Sequence, residues 1–325
     1  MVTVIVVNWN RAEMLLDCLA SLETQRVRPS RVIVVDNGST DDSVDRVSRF
    51  FPNVDILALG SNRGFAAANN AAFQMVATPY VALLNNDAVA GRHWIDSCVS
   101  ALDAHPEAGM IASKILFYDR PDRIDRAGDG YSHYGAGILR GRNAVATAYD
   151  QEEWIFGACA GAAMYRTKML AAIGWFDPSF FLLYEDVDLS FRAQLAGYRC
   201  RYVPEAVVYH RSCATIGRDS PVSVYYGHRN LEWVYFKNMP DILLKRSLAA
   251  HLFYDMLSGL FFARHDLGSI FLQAKRDAIS RLPVILRQRR DIQRSIQVHP
   301  ADVWRLFSRD RLLDRLQTRI PWTDT

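Results

Sequence analysis

The chain has 325 residues, half of them hydrophobic, enough to bury one large domain or one domain plus an appendage. Its formal net charge of +3 is too mild for a nucleic-acid binder. Five scattered cysteines (Cys18, Cys98, Cys159, Cys200, Cys213) with no CxxC or metal-type spacing exclude a disulfide scaffold and fit reduced thiols in a reducing compartment.

The opening "VTVIVV" is an apolar, β-branched run, the pattern of a strand covered on both faces. No basic segment or small-residue cleavage site accompanies it, so no secretory signal is expected. "AEMLLDCLASLETQ" then sets Met14, Leu15, Leu19 and Leu22 on a helical stripe. "RVIVVDNGSTDD" is a second buried strand running into turn residues, and "SVDRVSRFF" is helical. "VDILALG" gives a third strand, "GFAAANNAAFQMVA" a small-residue helix, "YVALLNNDA" a fourth strand and "WIDSCVSALDAH" another helix. This alternation predicts an α/β fold with a mainly parallel, open sheet and helices on both faces. Ligands of such sheets bind beyond the carboxyl ends of the strands. Asn8–Asn10, Asp36–Ser39, Asn62–Gly64 and Asn85–Asp87 all fall there. Each cluster alone reads as an ordinary turn; four meeting at one edge point to a site.

Residues 117–152 are Gly-rich and charged, a loop or short hairpin excursion. "GAGILRG" (Gly135–Gly141) mimics a dinucleotide fingerprint but follows no expected strand and is set aside. "GACAGAAMYR" reads as a small-residue segment entering a helix that ends near Gly174. "EDVDLSFRAQLAG" reads as a helix starting near Glu185, with Gly197 just past its end. Residues two apart on a helix diverge by roughly 200°, so Asp186 and Asp188 cannot both face one ligand. Asp188 stands four before Arg192, the spacing of an ion pair, and Val187, Phe191 and Leu195 form a core stripe. Asp186 is left short of a partner.

From Met239 the chain reads as helices with apolar faces and basic flanks, punctuated by Pro283, Pro300 and Pro321. Residues 239–325 hold 15 Lys+Arg against 9 Asp+Glu, a balance of +6, which leaves −3 for the first 238. The apolar run 243–263 is broken by Lys245, Arg246, His251 and Asp255 and is not expected to span a bilayer. The expected division is therefore 1–238 and 239–325.

At "VVDNGSTD", "NRGFAAANN", "LLNNDA" and "GWFDPSFFLLYEDVDLSFRAQLAGYRCRYVPEAVVYH" the sequence resembles the inverting family 2 glycosyltransferases, in order over about residues 2–238. Within that family it looks most like bacterial rhamnosyltransferases of cell-wall and surface-polysaccharide assembly, which the basic helical tail also fits. The resemblance implies a GT-A fold, a Rossmann-like nucleotide-sugar-binding sheet, followed by a C-terminal helical extension. It implies a dTDP-, UDP- or GDP-linked donor, a saccharide or lipid-linked saccharide acceptor, and Mg²⁺ or Mn²⁺. With the reducing compartment read from the cysteines, a cytoplasmic location is expected, and contact at the inner face of the cell membrane is one of two readings of the basic tail.

Carried onto this sequence, the resemblance assigns roles to single residues. Asp36 matches the base-recognition acid, an Asx-turn being the alternative. Asn8, Asn10 and Asn86 border the same nucleotide edge. Asn62, Arg63 and Gly64 are placed to meet ribose and diphosphate, since Arg binds phosphate bidentately and Gly permits close approach; a solvated loop Arg is the alternative. Asp87 occupies the last position of the family's DXD metal motif, from which this chain departs by carrying Asn85 at the first acidic position. His210 matches a metal ligand of some members, a strand-end His bonded to backbone being the alternative. Asp186 matches the catalytic base, with Glu185 orienting acceptor or base. Arg229 is a candidate for diphosphate or acceptor.

Softer expectations remain. Trp175, Phe176 and Asp177 either wall a pocket or pack in the core, and Gly157–Gly161 would let backbone approach the donor sugar. The stripe Leu243, Leu244, Leu248, Leu252 and Phe253 either packs on the domain or, with Lys245, Arg246, Arg287, Arg289 and Arg290, rests on an anionic membrane. A sugar-1-phosphate nucleotidylyltransferase is disfavoured because "VVNWNRAEML" lacks a Gly-rich triphosphate loop. A non-catalytic nucleotide-sugar-binding protein draws on Asn85 alone. The oligomeric state is left open.

Overall fold

The structure, a computed structural model, describes residues 1–212 and 220–308; Cys213 and Pro321 lie outside the described residues. The first half runs β1 (Val2–Asn8), α1 (Ala12–Glu23), β2 (Arg31–Asp36), α2 (Ser43–Phe50), β3 (Asp55–Ala58), α3 (Phe65–Phe73), β4 (Tyr80–Leu84), β5 (Ala88–Ala90) and α4 (Trp94–Ala104). Then come β6 (Ala108–Phe117), β7 (Ile124–Ala127), β8 (Asp129–Tyr131), β9 (Gly137–Leu139), β10 (Glu153–Ile155) and β11 (Ala162–Arg166). They are followed by α5 (Thr167–Ile173), α6 (Glu185–Leu195) and β12 (Arg199–His210). Five helices close the described chain: α7 (Pro221–Asn238), α8 (Asp241–Arg264), α9 (Gly268–Ser280), α10 (Leu282–Arg294) and α11 (Pro300–Leu306).

The central sheet runs β10-β12-β6-β11-β4-β1-β2-β3, with β5 on β12 and β7 on β6. Its β4-β1-β2-β3 half is parallel, as the alternating pattern predicts. The other half is mixed, because β11 runs antiparallel between β4 and β6 while β12 is parallel to β6. "GACAGAAMYR" thus holds a central strand before its helix; its alanines and methionine have weak strand propensity and hid it. β6 was hidden the same way: all ten of its residues are buried, but Gly, Ser and Lys interrupt its apolar run. "GAGILRG" does follow a strand, β8, but forms the return strand of that hairpin and leads into no helix.

Alternation along each strand splits the core into two layers. Val4 and Val6 pack with Leu15 and Leu19 of α1 and Trp94 of α4. Ile5 packs with Ala66 and Phe73 of α3 and Leu189 of α6. The chain winds outward through β2 and β3 and returns to β4 on the other side of β1, which opens a crevice at the β1–β4 boundary. Since β1, β2, β4, β6 and β12 all point the same way, Asn8, Asp36, Asp87, Phe117 and His210 gather along one edge.

The predicted stripe Val187, Phe191 and Leu195 meets a third cluster with Tyr131, Phe156, Trp233 and Phe307. Phe191 stands edge-on to Tyr131 and Phe156, at 5.1 and 5.4 Å between ring centres. α7 touches α6 on one side and α9 and α10 on the other, so it bridges the sheet layers and the following helices. The expected stripe on α8 divides: Leu243 is buried and Leu244 half-buried, whereas Leu248, Leu252 and Phe253 face outward. Arg289 is no surface cation. It is buried, ion-paired with Asp241, and donates to the Phe236 carbonyl at 3.0 Å. Among the described residues no helix is long and apolar enough to cross a membrane.

Candidate active site

At the β1–β2 end the polar residues hold one another. Asn8 is buried; its Nδ2 donates to Ser39 Oγ at 3.2 Å and its Oδ1 accepts from Asn86 Nδ2 at 2.7 Å. Asn10 adopts a left-handed conformation (φ 61°) and accepts from the Thr40 amide at 2.8 Å. Asp36 accepts from the Ser39 amide at 3.2 Å, a side-chain bond three residues on that fixes the turn after β2. Asn37 joins that edge to the next, donating to Asn62 Oδ1 at 3.0 Å and accepting from the Arg63 amide at 2.8 Å. The Arg63 side chain is exposed and donates to the Leu59 carbonyl at 3.1 Å. Gly64 spends its missing side chain on the protein, since a Cβ there would stand 2.5 Å from the Phe181 carbonyl.

The strand register brings Asp87 and His210 together. β12 pairs antiparallel with β5 so that His210 lies opposite Ala88, and His210 Nε2 comes to 3.1 Å from Asp87 Oδ1. The other ring nitrogen, Nδ1, faces Asp125 Oδ2 at 2.6 Å. Asp125 is buried on β7 and ion-paired with Arg142. An Nδ1–H donated to Asp125 leaves Nε2 as a lone pair aimed at a carboxylate oxygen. Asp87 Oδ1 accordingly has no hydrogen-bond partner among the described residues. Two electron-rich atoms converging at 3.1 Å form a donor set that fits a divalent cation. A recess of about 270 Å³ adjoins His210, with Arg120 and Arg142 both lying over the Phe117 ring, at 4.8 and 4.7 Å.

The start of α6 presents the acids. The preceding Phe181, Leu183 and Tyr184 all have positive φ (65°, 64° and 72°), a costly conformation for residues with side chains. Buried Asn230 holds that loop by donating to the carbonyls of Phe180, Leu182 and Leu183 at 3.0, 2.9 and 2.7 Å. Asp186 emerges from it with Oδ2 accepting from the Ala160 amide at 3.2 Å. The carboxyl of Glu185 is pushed well above the ordinary range by burial and by the charge of Asp186. Its Oε2 has no hydrogen-bond partner among the described residues.

A third acid, Asp129, lies beside Asp186. Burial raises its carboxyl to about 7, with Asp186 adding to the rise and Arg126 opposing it. Arg126 Nη1 reaches both Asp129 Oδ1 and Cys159 Sγ at 3.1 Å. Oxygens of Asp129 and Asp186 and the Cys159 sulfur lie within 4.8 Å of one another. Arg126 already sits among them, so this group has its cation. The second such cluster, Glu232, His251 and Asp255, likewise holds Lys275, whose Nζ is 2.7 Å from Asp255.

On the opposite side of α6, Asp188 is sealed at 0% exposure. It pairs with Arg192 at 2.9 Å and Lys237 at 3.0 Å, and accepts from Asn238 at 2.8 Å. Burial works against its charge, but Lys237 and Arg192 outweigh it and hold its carboxyl below the ordinary range. Asp177 shares Lys237 at 2.8 Å.

Several expectations move from ligand to scaffold. Arg229 donates to the Ser179 and Phe180 carbonyls at 3.2 and 3.0 Å and stacks over Trp233 at 4.2 Å, so its donors shape the loop before Glu185. Phe176 is in the core and Trp175 stacks on Phe73 at 4.4 Å. Gly157 and Gly161 are consumed by Ser190 and Asn85, whose side chains a Cβ would meet at 2.5 and 3.1 Å. Sequence reading missed Asp125, Arg142, Arg126 and Asp129. All four fall inside the stretch read as an excursion, where no periodicity sets a face; the only signal was "RIDRAGD", a charged run between apolar residues.

Comparison with known proteins places this geometry. The family model described as glycosyl transferase family 2 matches residues 3–174. The N-acetylglucosaminyl-diphospho-decaprenol L-rhamnosyltransferase of Mycobacterium tuberculosis is 30% identical over 242 residues, 67% of this chain and 78% of that protein. Among solved structures, GalNAc-T7 with UDP, GalNAc and Mn²⁺ aligns with a TM-score of 0.60 at 13% identity, covering 73% of this chain and 48% of that one. The mannosyltransferase PcManGT of Pyrobaculum calidifontis, in complex with GDP-Man and Mn²⁺, aligns with a TM-score of 0.55 at 18% identity, covering 98% and 87%.

Proposed function

The chain belongs to glycosyl transferase family 2 and is a glycosyltransferase; on that premise we propose that it moves L-rhamnose from dTDP-rhamnose to a hydroxyl of a lipid-linked saccharide, with inversion. The observation that carries the reading is the pairing of two half-sites at one sheet edge. Asp87 with His210 offers a cation-binding donor set, and Asp186 is the α6 acid not consumed by the Asp188 ion pairs. The rhamnosyl donor and the lipid-linked acceptor come from the mycobacterial relative, whose name carries both.

In this reading Asp36 and the Asn8–Asn10–Asn86 edge take the nucleoside, with Asn62, Arg63 and Gly64 at the ribose and diphosphate side. Asp87 and His210 would hold Mg²⁺ or Mn²⁺, which when bound neutralises charge on the departing nucleoside diphosphate. Asp186 removes the proton of the acceptor hydroxyl as that oxygen attacks the anomeric carbon, and one displacement inverts it. The Ala160 amide fixes the rotamer of Asp186. Glu185, its carboxyl pushed above the ordinary range by burial and by Asp186, is placed to hydrogen-bond to acceptor or base. Arg229 acts at one remove by shaping the loop that presents both acids. We divide the chain into a catalytic unit over 1–238 and a helical extension over 239–325 that meets the inner face of the cell membrane, where a lipid-linked acceptor resides.

The test is product analysis with dTDP-rhamnose, UDP-sugars and GDP-sugars, each with and without Mg²⁺ or Mn²⁺, on a lipid-linked disaccharide precursor. Metal-dependent release of dTDP and a product of inverted anomeric configuration are expected. Transfer only from a UDP- or GDP-sugar would overturn the donor, and a retained configuration would overturn the mechanism.

A further inference from the structure

The helical extension carries a surface that the transfer reaction does not use. α8 is docked on the protein by Leu243, Ser247, His251, Tyr254, Ser258 and Phe262, which recur every three or four residues and are buried. Its opposite face presents Ile242, Leu248, Leu252, Phe253, Met256 and Leu260, which are between 38% and 67% exposed. On a helical wheel these side chains span roughly 140°. Between Arg246 and Arg264 the exposed face contains no charged residue, only Leu, Ala, Phe and Met. Cations stand at both ends, Lys245 and Arg246 at one and Arg264 at the other. Asp241 is taken up by Arg289, and Asp266 lies beyond the helix.

We propose that the outward face of α8 lies flat on an anionic lipid bilayer, burying its apolar stripe among the acyl chains with its terminal cations at the headgroups. A bilayer fits both halves of the pattern: apolar side chains with no hydrogen-bonding group to satisfy, and cations set where phosphates lie. A second copy of the chain fits less well, because either orientation of two α8 helices sets cation against cation. The docked face ties this surface to the site. His251 Nδ1 lies 3.0 Å from the Tyr134 carbonyl in the β8–β9 turn, and β8 begins at Asp129, beside Asp186. A bilayer under α8 would therefore lie one hairpin away from the acids that receive the acceptor. The inference rests on the lipid-linked acceptor only for its purpose; the surface itself is argued from α8.

The test uses the full chain in co-sedimentation with vesicles of phosphatidylglycerol and phosphatidylcholine, against phosphatidylcholine alone. The chain is expected to sediment with the anionic vesicles, less so as salt is raised. The triple variant Leu252→Ser/Phe253→Ser/Met256→Ser, which alters only exposed positions, is expected to lose at least about fivefold in bound fraction. Lys245→Glu/Arg264→Glu is expected to remove the preference for anionic vesicles. Donor binding and transfer to a water-soluble acceptor analogue should be unchanged in both variants, which separates failure of this surface from failure of the transferase reading. A wild-type chain that stays in the supernatant overturns the proposal, and so does a serine variant that sediments equally well. A dimer in light scattering that the serine variant dissolves, without vesicle binding by the wild type, would give the face to a second copy instead.

Discussion

Asp186 and Asp188 leave the same turn of α6 into opposite electrostatic surroundings. Around Asp188, two acids (with Asp177) meet two bases, Arg192 and Lys237, and the Asn238 amide supplies a further hydrogen bond. Around Asp186, three acids (with Glu185 and Asp129) share Arg126. The first group is electrically closed and has no capacity left for a ligand. The second is short of positive charge, keeps the Glu185 and Asp129 carboxyls above their ordinary range, and lies behind a strained loop that Asn230 and Arg229 hold in place. Neighbouring acids of one motif thus divide between a neutralised pair that holds the helix and a group left open to a ligand, as the proposed role of Asp186 requires, and the count of counter-charges tells them apart.

Breaking the closed group should give the largest stability effect. Asp188→Ala leaves Arg192 buried without its acid and Lys237 with Asp177 alone, and the expected loss is about 3–5 kcal/mol in urea unfolding. A loss below about 1 kcal/mol would show that the pairs are dispensable. The proposed metal pair, Asp87 and His210, offers the next contrast, since its histidine faces an acid of its own, Asp125. Asp125→Asn is expected to weaken Mn²⁺ binding, measured calorimetrically with nucleoside diphosphate present, by about 10–100-fold. Unchanged affinity would detach Asp125 from the site.

The smallest effect is also the one that sharpens the comparison by sign. Asp188 is held below its ordinary range, so the stability it contributes is present above that range and is lost as pH falls from it through the lowered folded-state value. Asp129 is raised to about 7, so the folded chain binds a proton that the unfolded chain has already lost. Its contribution therefore declines as pH rises from the ordinary carboxylate range to about 7 and is flat above. Thermal melts of the wild type and Asp129→Asn should diverge over that interval, the variant losing less stability as pH rises. Parallel melting curves would contradict the shared-acid picture.

The parallel half of the sheet and its polar edge were legible because β-branched runs and turn residues alternate there at regular spacing. The glycines just past the ends of α5 and α6, Gly174 and Gly197, and the Asp188–Arg192 spacing were equally plain. β6 and β11 were not, since central strands rich in Ala, Gly and Ser carry no alternation and little propensity. Asp125 and Asp129 escaped for a different reason. They become site residues only when β7 joins β6 and the β8–β9 hairpin folds back, and neither pairing leaves a local trace. Arg229 shows what sequence hides in the other direction: its main-chain partners, the Ser179 and Phe180 carbonyls, come from a segment whose proximity leaves no local trace.

Single-turnover transfer by Asp186→Asn tests most directly whether Asp186 acts as the base while Asp188 holds the helix. The rate should fall by about 10²–10⁴-fold while the unfolding midpoint and donor affinity stay at wild-type values. A rate within about twofold of wild type would contradict it.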